Sequence, residues 1–334
     1  MPPTVSDHKI KSIANLSVKR LQQLARELKT SPATSPEAAA EHRAEPTPLE
    51  NKETYNLVAI KSGGKRLPLF LMHPSGGSVI TYYTLAAALD GEQPVFAIEY
   101  DPQVEGKSGI YLSMEQRATR YVELVRTARP DGPYLLGGWS MGGVLAFEMA
   151  RQLTAADQEV ICVILLDSGA RLHPALSSDL FAASELIMIG KDLALNLGKE
   201  LRVTTDDLEK LPPQERNRSF AQALKSEDVM PRYMSIEYFL DLLKGLKSTE
   251  RSMREYRPGP YDGQVLLLRT LGKKDLMRSI IASYDQPALG WEDVCSKIVE
   301  VHHVPGDHNS MLKGENAKLI GSILEKHLLL RASA

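Results

Sequence analysis

The chain has 334 residues, 43% of them hydrophobic and 25% charged, with a formal net charge of -2. That is an ordinary globular composition with ample length for a buried core, and so little net charge gives no reason to expect a nucleic-acid partner. The two cysteines, Cys162 and Cys295, have no CxxC spacing, which argues against a disulfide framework or a zinc knuckle and fits a reducing cytoplasm. No metal is expected. No signal-peptide pattern opens the sequence, and no apolar run approaches the ~20 residues that span a bilayer, so no membrane association is expected.

In chain order, residues 1–50 differ from the rest. Ser17–Leu28 reads as a short amphipathic helix, with Leu21, Leu24, Ala25 and Leu28 on one face and Ser17 as N-cap. It is either an arm packed on the domain or a helix that docks to a partner. Ser31–Leu49 contains Pro32, Pro36, Pro46 and Pro48 and reads as a linker.

Residues 51–334 read as one domain. Strand signals fall at Tyr55–Ile60, Leu67–Met72, Pro94–Tyr100, Tyr134–Gly138, Val160–Leu166, Val265–Arg269 and Ile298–Val304. Helical patterns fall between several of them, at Ile80–Leu89, Ser113–Arg129, Val144–Leu153 and Ala317–Leu330. Ser113 with Gln116 makes a capping box. This alternation predicts an α/β fold, a mostly parallel sheet flanked by helices.

One stretch, about 174–255, carries no strong strand signal. Helical pieces at Asp179–Leu197, Pro213–Lys225 and Ile236–Tyr256 are separated by Pro212-Pro213 and Pro231. This reads as a helical lid inserted into the domain, or else as an extra helical layer. Its apolar residues, among them Phe181, Met188, Met230 and Phe239, either line an acyl channel or pack the lid helices.

The chemistry centres on Gly138-Trp139-Ser140-Met141-Gly142, a G-x-S-x-G motif between the strand Tyr134–Gly138 and the helix from Val144. That is the context of a nucleophile elbow. Small flanking residues are needed because the turn is sharp, and a helix N-terminus favours negative charge developing at the serine. A serine hydroxyl needs a base. Of eight histidines, His308 has the expected position, in a loop after the last strand. His302 and His303 lie within that strand, and His73 ends an early one, where it shapes a loop. Two aspartates compete for the acid: Asp167, ending Val160–Leu166, and Asp275, after Val265–Arg269. The oxyanion donors are expected to be the Met141 N–H and an N–H of the loop His73-Pro74-Ser75-Gly76-Gly77, with Ser75 preferred over Gly76.

Taken together, these segments resemble the thioesterase domains of nonribosomal peptide synthetases and modular polyketide synthases, which have the α/β-hydrolase fold. The carrying segments are Leu71–Gly77, Tyr134–Gly143, Leu165-Leu166-Asp167-Ser168, Tyr256–Gly263 and Val304–His308. The resemblance implies Asp167 as the acid, a catalytic set Ser140, Asp167 and His308, and a lid between acid and histidine. It also implies a substrate, an acyl or peptidyl thioester carried on the phosphopantetheine of an acyl or peptidyl carrier protein or synthase module. No cofactor of its own is implied. No Gly-x-Asp-Ser-Leu carrier motif precedes Tyr55, so the substrate is expected from another polypeptide or another part of a synthase. Release by hydrolysis or macrocyclisation is the leading expectation. The alternatives are an editing thioesterase that clears misloaded carriers, an acyltransferase or esterase acting on oxygen esters, and a non-catalytic docking protein.

Overall fold

The structure is a computed structural model that describes residues 56–75, 77–100, 111–173, 181–230, 234–272, 277–278, 280–297 and 299–332. The chain divides into two units, Met1–Glu50 and Asn51–Ala334. The first, with the expected helix Ser17–Leu28 and linker Ser31–Leu49, lies outside the described residues.

The second unit is built on a sheet of β1 (Asn56–Lys61), β2 (Leu69–Met72), β3 (Val95–Glu99), β4 (Tyr134–Trp139), β5 (Val160–Leu166), β6 (Val265–Thr270) and β7 (Glu300–Val304). Their order across the sheet is β1-β3-β2-β4-β5-β6-β7. β1 runs antiparallel to β3, and every other pairing is parallel. Between strands lie α1 (Thr81–Ala88), α2 (Met114–Ala128) and α3 (Met141–Ala155), and α8 (Gly314–Ala332) follows β7. Ser113 and Gln116 close the capping box on α2.

Residues in these strands alternate between two cores, as a period of two requires. Leu69, Leu71, Ile164, Leu166, Leu266 and Leu268 join one core with Tyr82 and Leu85 of α1 and Ile320 and Leu324 of α8. Phe70, Met72, Val163, Leu165 and Leu267 join the other, with Tyr121 of α2 and Leu145 and Phe147 of α3. The central strands are therefore apolar on both faces, which is why they read as continuous hydrophobic runs. The expectation of a mostly parallel sheet flanked by helices is borne out.

Between β5 and β6 come α4 (Ala183–Asn196), α5 (Thr205–Glu209), α6 (Pro213–Ser226) and α7 (Ile236–Glu255), with no strand among the described residues. They enclose a third core containing Phe181, Leu186, Ile187, Phe220, Met230 and Phe239. Most of the apolar residues named as channel candidates thus pack the insertion itself, while Met188 is exposed. The five-residue α5 is too short to show periodicity; its signal is the Thr204–Asp207 capping box. α7 ties the insertion to the sheet. Its far end sends the Ser252 hydroxyl to the Leu112 carbonyl, and a Cβ at Gly245 would overlap the Tyr100 hydroxyl. Tyr100 in turn donates its backbone N–H to the Gly77 carbonyl at 3.0 Å, so the insertion reaches the loop after β2 through one residue.

That loop is fixed from below by His73. Its side chain is fully buried, with Nδ1 2.8 Å from the Pro74 carbonyl and Nε2 2.7 Å from the Tyr121 hydroxyl. A carbonyl only accepts, so Nδ1 carries the proton and Nε2 accepts from Tyr121. Burial, helped by the nearby Arg117 guanidinium and opposed by the Pro74 hydrogen bond, lowers the His73 pKa to about 3. His73 is a structural histidine, as its loop position predicts.

Trp291 is fully buried, 4.4 Å from Phe147 between ring centroids, and donates its indole N–H to the Ser168 carbonyl at 2.7 Å. Trp291→Ala is expected to cost ~3–5 kcal/mol in urea unfolding, and Trp291→Phe distinctly less. His73 makes stability depend on pH. The unfolded chain takes up a proton as pH falls below 6.5, whereas the folded chain does not until about 3. Its contribution is therefore intact above 6.5 and lost at ~1.4 kcal/mol per pH unit below it. His73→Gln should flatten the pH dependence of the urea midpoint between pH 6 and 4; an unchanged slope would contradict this assignment.

Candidate active site

The order of the strands assembles the site. β2, β4, β5, β6 and β7 are consecutive neighbours, all parallel. Ser75 follows β2, Ser140 follows β4, Asp167 follows β5, Thr270 ends β6, and His308 lies in the loop after β7. Residues far apart in sequence thereby share the carboxyl edge of one sheet, where ligand sites of open α/β sheets form.

Ser140 occupies the turn from β4 into α3 with φ 57° and ψ -126°. A non-glycine residue in such a conformation carries strain on the order of 1–3 kcal/mol. The turn is held by the Ser140 N–H on the Leu166 carbonyl at 2.9 Å and the Gly143 N–H on the Ser140 carbonyl at 3.1 Å. It is also held by close packing. A Cβ at Gly138 would overlap the Gly142 backbone, and a Cβ at Gly142 would overlap the Met72 carbonyl oxygen. The first turn of α3 thus rests on the end of β2, which brings the Met141 N–H and the Ser75 loop to the same region. The first N–H groups of a helix have no partner within it, so the Met141 N–H is of the kind that serves an oxyanion. Ser75 is exposed, in a turn closed by the Gly77 N–H on the Pro74 carbonyl at 2.8 Å. Gly76, the second choice, lies outside the described residues.

Asp167 also has a positive φ, 47°, and donates its N–H to the Leu268 carbonyl at 2.8 Å. Its carboxylate is 2% exposed. Oδ2 accepts from His308 Nδ1 at 2.8 Å and from the Thr270 hydroxyl at 3.0 Å, and Oδ1 accepts from the Thr270 N–H at 2.8 Å. A carboxylate on Nδ1 fixes that nitrogen as the donor, so a neutral His308 carries its lone pair on Nε2. The other face of the imidazole is set by Trp139, the residue before Ser140, whose ring centroid lies 4.9 Å away at 34°. His308 is therefore held between the acid and the strand that delivers the serine. Asp275 lies outside the described residues. His303 is exposed and His302 half-buried, hydrogen-bonded to Glu300 rather than to a catalytic group.

Two positioning residues escape the sequence. Thr270 donates twice to Asp167, and only the β5–β6 register, Leu166 opposite Leu268, puts them side by side. Tyr82 of α1 accepts from the Trp139 N–H at 2.9 Å and donates to the Met72 carbonyl at 2.5 Å. It bridges β2 and β4 where their ladder ends, next to Ser140. Among the described residues, a three-donor cluster of the kind that holds a metal lies elsewhere, at Glu300, His302 and His327.

Residues 67–328 match the model of the thioesterase domain family. A non-reducing polyketide synthase, atnG of Arthrinium sp, is 28% identical over 302 residues, covering 83% of this chain and 13% of the synthase. A four-domain nonribosomal peptide synthetase solved with AMP and glycine is 27% identical, with TM-score 0.70, over 83% of this chain and 21% of that one. The NocB thioesterase domain, solved as a covalent complex with a fluorophosphonate nocardicin G analogue, is 26% identical, with TM-score 0.54, over 82% of this chain and all of that one. The chain spans a small part of the synthases and synthetases it matches, and the resemblance read from its motifs is borne out. With the family model covering most of its length and the sheet described above, the chain belongs to the thioesterase domain family, hydrolases of the α/β-hydrolase fold.

Proposed function

We propose that this chain is a serine thioesterase that releases an acyl or peptidyl chain from the phosphopantetheine arm of a carrier protein. The observation that carries the reading is the buried Asp167–His308 hydrogen bond at 2.8 Å beside the strained Ser140 turn, in a chain of this family. The relatives named above include a polyketide synthase and a nonribosomal peptide synthetase, which supports a carrier-bound thioester as the substrate class. It also supports a carrier protein or synthase module as the partner.

His308 Nε2 takes the proton from Ser140 as Oγ attacks the thioester carbonyl. The N–H groups of Met141 and Ser75 receive the oxyanion. The tetrahedral intermediate collapses, the C–S bond breaks, and the imidazolium returns its proton to the leaving thiol. An acyl-Ser140 remains. Water, or an amine or hydroxyl of the substrate itself, then attacks by the same steps in reverse order. Asp167 holds the tautomer and stabilises the imidazolium. The α4–α7 insertion acts as the lid: its reach to the Ser75 loop through Tyr100 supports a part in excluding water. Cys162 and Cys295 are thiols rather than halves of a disulfide, which supports a reducing, cytoplasmic compartment.

Three variants separate the roles. Ser140→Ala is expected to lose turnover of an acyl-carrier thioester, and substantial remaining turnover would sink the mechanism. Asp167→Asn should lower kcat on the order of 10⁴-fold, with an unchanged far-UV spectrum. Thr270→Val keeps the backbone donor and removes one hydroxyl, so kcat should drop roughly tenfold while KM stays put. Comparing acyl-carrier thioesters with simple oxygen esters discriminates the substrate class. Faster turnover of the oxygen ester would favour an esterase, and a preference for short, misloaded acyl groups would favour an editing thioesterase.

A further inference from the structure

Cysteine spacing gives no sign of a metal site, but the fold makes one from residues that are 25 positions apart. Glu300 and His302 are two residues apart on β7, so strand alternation puts them on one face of this edge strand. His327 reaches the same point from α8. Glu300 Oε1 lies 3.0 Å from His302 Nε2 and 2.9 Å from His327 Nε2, and the two Nε2 atoms lie 3.1 Å apart. The three side chains are half-buried, with His327 only 14% exposed.

Protons alone do not satisfy this triangle while Glu300 is ionised. If both Nε2 atoms carry hydrogen, two N–H groups face each other across 3.1 Å. If only one does, the other nitrogen points a lone pair at the carboxylate oxygen across 3.0 or 2.9 Å. One contact is always between like groups. A single cation takes all three lone pairs at once. An ion ~2.0–2.1 Å from each atom sits about 1 Å above the plane of the triangle, the distance range of zinc on imidazole and carboxylate.

We propose that Glu300, His302 and His327 bind one divalent transition ion of the zinc class, which clamps α8 onto β7. Two imidazoles and one carboxylate suit Zn²⁺ and Co²⁺ and disfavour Mg²⁺ or Ca²⁺, which take oxygen ligands. β7 leads directly into the loop that carries His308, so the clamp steadies the strand behind the proposed base.

The tag-free 334-residue chain, freed of metal with a chelator, is titrated with Zn²⁺ by calorimetry and with Co²⁺ by visible absorption. The wild type should take up one ion per chain at this site, show Co²⁺ d–d bands of a low-coordinate complex and gain Tm with Zn²⁺. His327→Ala and Glu300→Gln should each weaken that uptake by more than the ~10–100-fold typical of losing an outer-shell partner, and should abolish the Tm gain. His303→Ala, altering an exposed neighbour, should change neither. Glu300→Gln preserves shape and decides the matter if His327→Ala does not fold. No saturable uptake by the wild type, or uptake that survives both variants because other histidines hold the ion, would overturn the proposal. Hydrolase activity enters none of these readouts, so the outcome is independent of the thioesterase assignment.

Discussion

The Asp167 carboxylate is buried at 2% exposure and accepts three hydrogen bonds, two from Thr270 and one from His308. A buried carboxylate without donors would cost several kcal/mol, and with charge-assisted partners it becomes a rigid anchor. The donors come from the end of β6 and from the loop after β7, while Asp167 directly follows β5. One anion therefore locks three neighbouring strand ends into a single arrangement. Parallel pairing makes this possible, because it delivers every carboxyl end to the same edge. The imidazole is then trapped between the carboxylate and Trp139, and its free nitrogen has little rotational choice.

The serine is supplied with strain. Its left-handed backbone is maintained by hydrogen bonds from β5 and α3 and by glycines that let α3 press on β2. Tyr82 joins β2 and β4 at the same level. The strained turn, the loop after β2 and the anchor thus draw on a single sheet edge, with the fully buried Trp291 under Ser168 supporting it from below. The helical insertion is a different kind of structure, with its own core. Its α7 meets Tyr100, just past the end of β3.

Much of this was legible in the sequence. Central strands such as Val160–Leu166 announced themselves as apolar runs because they are buried on both faces. G-x-S-x-G between a strand and a helix marked the elbow because only small residues fit there. Chain order alone nominated His308. The choice between Asp167 and Asp275 was not decidable from spacing, since both follow sheet strands; it took the resemblance to favour Asp167, which the structure hydrogen-bonds to His308. Thr270, Tyr82 and the Glu300–His302–His327 cluster were illegible for one reason. Each acts through a neighbour set by strand order or helix docking, and no local pattern encodes that. The α5 helix was missed because five residues span little more than one turn.

The central claim is that Ser140, directed by His308 and Asp167, takes the acyl group from a carrier. Intact mass spectrometry of the protein mixed with an acyl-loaded carrier tests it most directly. The account predicts an adduct of one acyl group, mapped to the peptide holding Ser140 and absent in Ser140→Ala, with the carrier returned as free thiol. A carrier that loses its acyl group while no adduct forms, and loses it equally fast with Ser140→Ala, would contradict the account.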